Sequence, residues 1–168
     1  KIIPNQDQQF TIQDIDSELR KKDYSVVHIA THGEFDFDPE LSFLVTEGAK
    51  LKLSRFEEMM RQVNTDRTRI DILALTGCKT AVGDPRSSLG LAGIAVQSGV
   101  SSAIASLWQI EETASTPLLM QKFYQNYLDG KSKAKALQIA QIELIHGEAS
   151  ASRRPYYWSP FILIGNWL

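Results

Sequence analysis

Two residues of this 168-residue chain have side chains that could do covalent chemistry together: Cys78, its only cysteine, and His32, one of three histidines. Each follows an apolar run. YSVVHIA (24–30) leads into Thr31-His32-Gly33, and IDILALT (70–76) leads into Gly77-Cys78. A cysteine attacks as its thiolate, so it needs a neighbouring base or cation to lower its pKa; an imidazole can fill that role and later return the proton to a leaving group. A glycine beside each candidate lets backbone come close to a substrate. On its own, a free cysteine is more commonly a small buried hydrophobe, and a lone histidine beside a strand is more commonly a hydrogen-bonded structural residue. The repeated pattern of strand, glycine and reactive side chain shifts the balance toward chemistry. His28 falls inside a strand, where burial is expected, and His146 falls in the last turn of a helix, where the helix dipole accounts for it; both read as structural.

The elements that must position these residues can be read from periodicity. TIQDIDSELRKK (11–22) puts Ile12, Ile15 and Leu19 on one helical face, with Thr11 as N-cap. The runs 24–30, 70–76 and 100–108 lack polar alternation, as expected of strands covered on both faces. Two short apolar runs around Glu47-Gly48 suggest a hairpin. Ser54 with Glu57 forms a capping-box pattern that opens a helix to about Val63. SSLGLAGIAVQSG reads as a small-residue helix stopped by Gly99. Pro117 suits the first turn of a helix carrying Leu118, Phe123, Tyr124 and Tyr127 to Gly130. Ser132 opens another helix, to Ile145, and 161–164 is a last strand. Alternating strands and helices imply right-handed crossovers and a mostly parallel sheet flanked by helices on both faces, an α/β fold. Ligands bind such sheets at the carboxyl ends of the strands. His32 and Cys78 are 46 positions apart in sequence but both belong to that rim.

Composition narrows the function classes. With 43% hydrophobic and 23% charged residues, the chain suits one compact domain. A net charge of −2, a pI near 5.9 and no dense Lys/Arg run point away from direct nucleic-acid or membrane partners. One cysteine leaves no internal disulfide, and no secretory signal is visible, so a cytoplasmic setting is expected. No cofactor or metal motif is evident; in particular there is no EF-hand loop. The chain starts at Lys1, which suggests a piece of a longer product whose start is set either by cleavage or by cropping.

The blocks HIATHGEF (28–35), LALTGCKTAVGD (73–84), GLAGIAVQSGVSSAIASLWQIEETAS (90–115), FYQNYLDGKSKAKALQIAQ (123–141) and YYWSPFILIGNWL (156–168) resemble, in order, those of CHAT domains. These are caspase-like domains often joined to tetratricopeptide repeats. The resemblance implies a caspase-like fold for residues 1–168, the C-terminal catalytic portion of a longer protein. It also implies a His32/Cys78 dyad of a cysteine endopeptidase, acting on protein or peptide substrates under a tetratricopeptide or other regulatory partner. Thr76-Gly77-Cys78-Lys79 stands where caspases carry a different signature, so caspase-like aspartate specificity does not carry over. The oxyanion would take hydrogen bonds from the amides of Gly33 and Cys78.

For the substrate, an extended strand is expected along the sheet edge, with Ser106 to Trp108 pairing its backbone and Trp108 as an apolar wall. Trp108 could equally be ordinary core. Glu111 and Glu112 could be solvated acids before a helix N-terminus. By similarity to separases, which carry an acid after the corresponding Leu-Trp, Glu112 would instead receive a basic side chain, Arg before Lys. Two other readings compete with the endopeptidase: a catalytically silent caspase-like interaction module, and a thiol amidase acting on small molecules.

Overall fold

The structure is a computed structural model that describes residues 10–21, 24–35, 40–66, 70–76, 79–80, 98–108, 115–147 and 153–168. Its first helix, α1 (Ile12–Lys21), opens as the sequence implies. Thr11 N–H donates to Asp14 Oδ2 (2.9 Å), and Asp14 N–H donates to Thr11 Oγ1 (3.2 Å). Each thereby satisfies a donor that the helix itself leaves unpaired.

Strands β1 (Val26–Ala30), β5 (Ile72–Thr76), β7 (Ser102–Ser106) and β8 (Phe161–Gly165) form the main sheet in the order β1-β5-β7-β8. The first three are parallel, with His28 opposite Ala74 and Leu75 opposite Ala105, and β8 runs antiparallel to β7. A second sheet, ordered β4-β3-β2-β6, consists of β2 (Gly33–Phe35), the hairpin β3 (Phe43–Thr46) and β4 (Ala49–Lys52), and β6 (Lys79–Thr80). The hairpin turns at Glu47-Gly48, and Gly48 has φ +69, a conformation that glycine enters without the penalty a Cβ brings.

Helices cover both faces of the main sheet. Ile29, Leu73, Leu75, Ala103 and Ala105 face Leu19 of α1 and Phe56, Met59 and Met60 of α2 (Leu53–Asp66). The alternate positions Ile72, Ala74 and Ile104 face Leu119, Met120 and Phe123 of α3 (Ser115–Leu128), and Ala136, Leu137, Ala140 and Leu144 of α4 (Lys133–His146). Each large aliphatic side chain fully buried this way contributes about 1.5–3 kcal/mol. Ser132 caps α4, its side chain accepting from Lys135 N–H. A one-turn helix, α5 (Pro155–Trp158), precedes β8.

Several expectations change. Among the described residues β1 lies at the edge of its sheet, so Ile29 is buried while His28 and Ala30 remain exposed, rather than covered on both faces. α2 starts at Leu53, which places Ser54 inside the first turn; Ser54 hydrogen-bonds Glu40, and Glu57 pairs with Arg61, in place of the capping box. Leu118 is partly exposed, and Leu119, Met120 and Phe123 carry the buried face of α3. The small-residue helix ahead of Ser98 lies outside the described residues. Gly99, its expected stop, has φ +90. No helix among the described residues is long and apolar enough to cross a membrane.

Candidate active site

Two chain segments leave the main sheet side by side and meet again in the second sheet. In the main sheet Ala30 pairs with Thr76, and Thr31 N–H extends that contact by donating to the Thr76 carbonyl (3.1 Å). In the second sheet β2 and β6 are again parallel, with Glu34 opposite Lys79 and Phe35 opposite Thr80. Three residues, 31–33, separate the paired positions on one segment, and two, 77 and 78, separate them on the other. His32 is thus held between two points of contact with the segment that carries Cys78. Gly77 and Cys78 lie outside the described residues, but the residues on either side of them, Thr76 and Lys79, are paired with the His32 segment.

The hairpin fixes the His32 turn from the other side. Val45 N–H donates to the His32 carbonyl (2.7 Å), and Thr31 Oγ1 donates to the Val45 carbonyl (2.8 Å). Backbone groups of successive strand residues point to opposite sides. Because the His32 carbonyl points at β3, the N–H of Gly33 points away from β3, to the side where β6 lies. Gly33 is buried, whereas the His32 side chain is exposed at the rim.

Thr76, the single polar side chain of β5, is only 3% exposed and shares a 2.8 Å hydrogen bond with His28 Nε2. The ring of His28 also lies against Tyr124 of α3, with centroids 5.8 Å apart. The residue is partly open to water, yet its ring packs against protein, and this desolvation pulls its pKa down to about 4. The sequence showed His28 as a strand residue but did not show its bond to Thr76, since the register between β1 and β5 is not written in either strand alone.

The remaining candidates fare differently. Ser106 ends β7, opposite Phe161, and Leu107 N–H donates to the Pro160 carbonyl (2.9 Å). Among the described strands β7 lies between β5 and β8: β8 pairs it as far as Ser106 and the Leu107 amide, whereas the pairing with β5 ends at Ala105. The Ser106 hydroxyl is buried and has no hydrogen-bond partner among the described residues. Trp108 is half-buried at the margin of the α3/α4 core, and its indole N–H donates to the Tyr156 carbonyl of α5 (3.3 Å). Glu111 and Glu112 lie outside the described residues. Among the described residues no three His, Cys, Asp or Glu side chains gather as metal ligands would.

A parallel-centred α/β sheet with helices on both faces, and a second small sheet gathering the loops at its carboxyl rim, is the architecture of a caspase-like domain. The family model for the CHAT domain matches residues 1–166, and the chain belongs to that family. A search of curated proteins returns no match.

Proposed function

We propose that this domain is a cysteine endopeptidase in which Cys78 is the nucleophile and His32 the acid–base partner. The observation that supports this most is the double pairing of the two segments, at Ala30 with Thr76 and at Glu34 with Lys79, on either side of His32 and Cys78. In the proposed reaction the Cys78 thiolate adds to the scissile carbonyl carbon, and the carbonyl π electrons move to oxygen. Amide N–H groups of Gly33 and Cys78 stabilise that oxyanion; removing one such donor in a protease costs about 100- to 1,000-fold in turnover. As the tetrahedral species collapses, the C–N bond breaks and the imidazolium of His32 gives its proton to the departing amine. Neutral His32 then takes a proton from water, the resulting hydroxide attacks the thioester, and the acid and thiolate are released.

The side chain preceding the cut is proposed to be Arg, then Lys, received by Glu112, with Trp108 as an apolar wall and Glu111 beside it. Regulation would come from a tetratricopeptide or other partner domain, in the cytoplasm. Labelling with a peptidyl electrophile tests the central claim. At pH 7 Cys78 should react at least about tenfold faster than a free peptide thiol, whose pKa of about 8.5 leaves only about 3% of it as thiolate. A rate equal to that of the free thiol would favour the silent interaction module instead.

A further inference from the structure

We infer that His28 and Thr76 form a positioning pair that fixes the end of β5, the residue from which the chain continues to the nucleophile Cys78. This rests on the reading of Cys78 as nucleophile and adds residues outside the dyad to it. Thr76 stands two residues before Cys78 and is gripped twice, once from β1 and once from the residue that follows it. Its carbonyl accepts from Thr31 N–H (3.1 Å), and its hydroxyl is bonded to His28 Nε2 (2.8 Å).

The second grip has a feature that simple packing does not require. Every other residue of β5, Ile72 to Leu75, is apolar and buried. The buried hydroxyl appears only at the last position, and His28 reaches it diagonally along the strand, since its own register partner is Ala74. A valine at 76 would fill the same volume with no polar group to satisfy. A hydrogen bond to a buried hydroxyl contributes little net stability, but it favours the one arrangement that satisfies that hydroxyl. The arrangement favoured here is that of the last residue of β5. Contact with Tyr124 holds the imidazole in place. Desolvation keeps it uncharged through the neutral range, so one ring nitrogen carries no proton and the other donates.

Four substitutions in the full chain test the pair. Thr76→Val and His28→Leu remove the bond; Thr76→Ser and His28→Gln can keep it. Because Cys78 is the only cysteine, alkylation by iodoacetamide reports on that residue alone, whether or not the protein cleaves peptides. Thr76→Val and His28→Leu should each slow alkylation and lower kcat by about tenfold, the equivalent of one hydrogen bond, with KM within about twofold. Thr76→Ser and His28→Gln should restore both, and the double variant Thr76→Val/His28→Leu should be no slower than either single variant. If His28→Leu does not fold, the near-isosteric Thr76→Val carries the test. Wild-type alkylation and kcat in a folded Thr76→Val protein would overturn the inference and assign the bond to stability alone. Slowed alkylation in a protein whose wild type cleaves no peptide would retain the positioning pair and remove the peptidase reading.

Discussion

Glu34 and Lys79 face each other in parallel register, the one two residues after His32 and the other one residue after Cys78. This contact, far from the core of the main sheet, ties together two loops that sequence separates by more than forty positions. If the dyad works there, Cys78→Ala and His32→Ala should each abolish peptide cleavage. The exposed His32 side chain carries none of the buried core, so its loss should change stability by no more than about 0.5 kcal/mol. Cleavage assays beside thermal melts check this, and retained activity in Cys78→Ala would end the peptidase reading.

His28 predicts an acid-side loss of stability. Its pKa is lowered from the usual 6.5 to about 4 by desolvation, so the folded state holds the neutral ring and the unfolded chain takes the proton first. That contribution is complete above pH 6.5 and is lost as the pH falls toward 4. Access to water makes the swing smaller than full burial would give. The melting temperature of His28→Gln should therefore change less than that of the wild type between pH 6.5 and 4. NMR of the three imidazoles should show His28 titrating near pH 4, and a His28 pKa of 6 or above would refute the assignment.

At the opposite end of β5, Asp71 accepts from Tyr127 OH (2.6 Å) and pairs with Lys133 Nζ (2.9 Å). Lys133 is 3% exposed, and its ammonium also donates to the Asn166 carbonyl (3.3 Å). Burial pushes the Asp71 carboxyl upward, but the hydrogen bonds from Tyr127 and Lys133 outweigh it and leave the pKa lowered. Lys133→Met should cost about 3 kcal/mol, the lower end for breaking a buried pair, because the Asp71 side chain keeps 31% exposure. A lowered carboxylate contributes stability above its unfolded pKa near 3.9 and loses it as the pH falls below that value. Tyr127, raised to about 12 first by burial and then by Asp71, contributes stability below pH 10 that is lost as the pH rises toward 12. Denaturation of wild type and Lys133→Met across both windows checks the cost and the signs.

The strands that build the main sheet were legible because their apolar runs are long and bounded by glycine, as with 70–76 ahead of Gly77. The capping of α1 at Thr11 and of α4 at Ser132 was legible because each side-chain donor or acceptor acts within three residues. What the sequence hid was non-local. β2 and β6, three and two residues long, are too short to show any period, yet they pair the two candidate loops. The outer place of β1 and the interior place of β7 among the described strands are properties of strand order, which no single strand encodes. The burial of Lys133 against Asp71 depends on where α4 meets the start of β5. His28 was visible as a strand residue, but its partner stands 48 positions away.

The final prediction concerns the residue that precedes the cut, and it rests on WQIEET, residues 108–113. Trp108 is anchored by its indole N–H on the Tyr156 carbonyl and packs at the margin of the core, so the segment starts from a fixed point. Glu112, four residues on, is proposed to receive the substrate's cation. A carboxylate there binds Arg through two parallel hydrogen bonds and Lys as a point charge, and it repels Asp. A peptide-library profile should rank Arg first, Lys second and Asp near zero. Glu112→Gln should lose about 2–5 kcal/mol of transition-state binding for basic substrates, the usual range when one partner of a desolvated charge pair is removed, while apolar substrates change little. A wild-type preference for Asp or for apolar residues, or an unchanged profile in Glu112→Gln, would sink this assignment and leave the Cys78/His32 pair untouched.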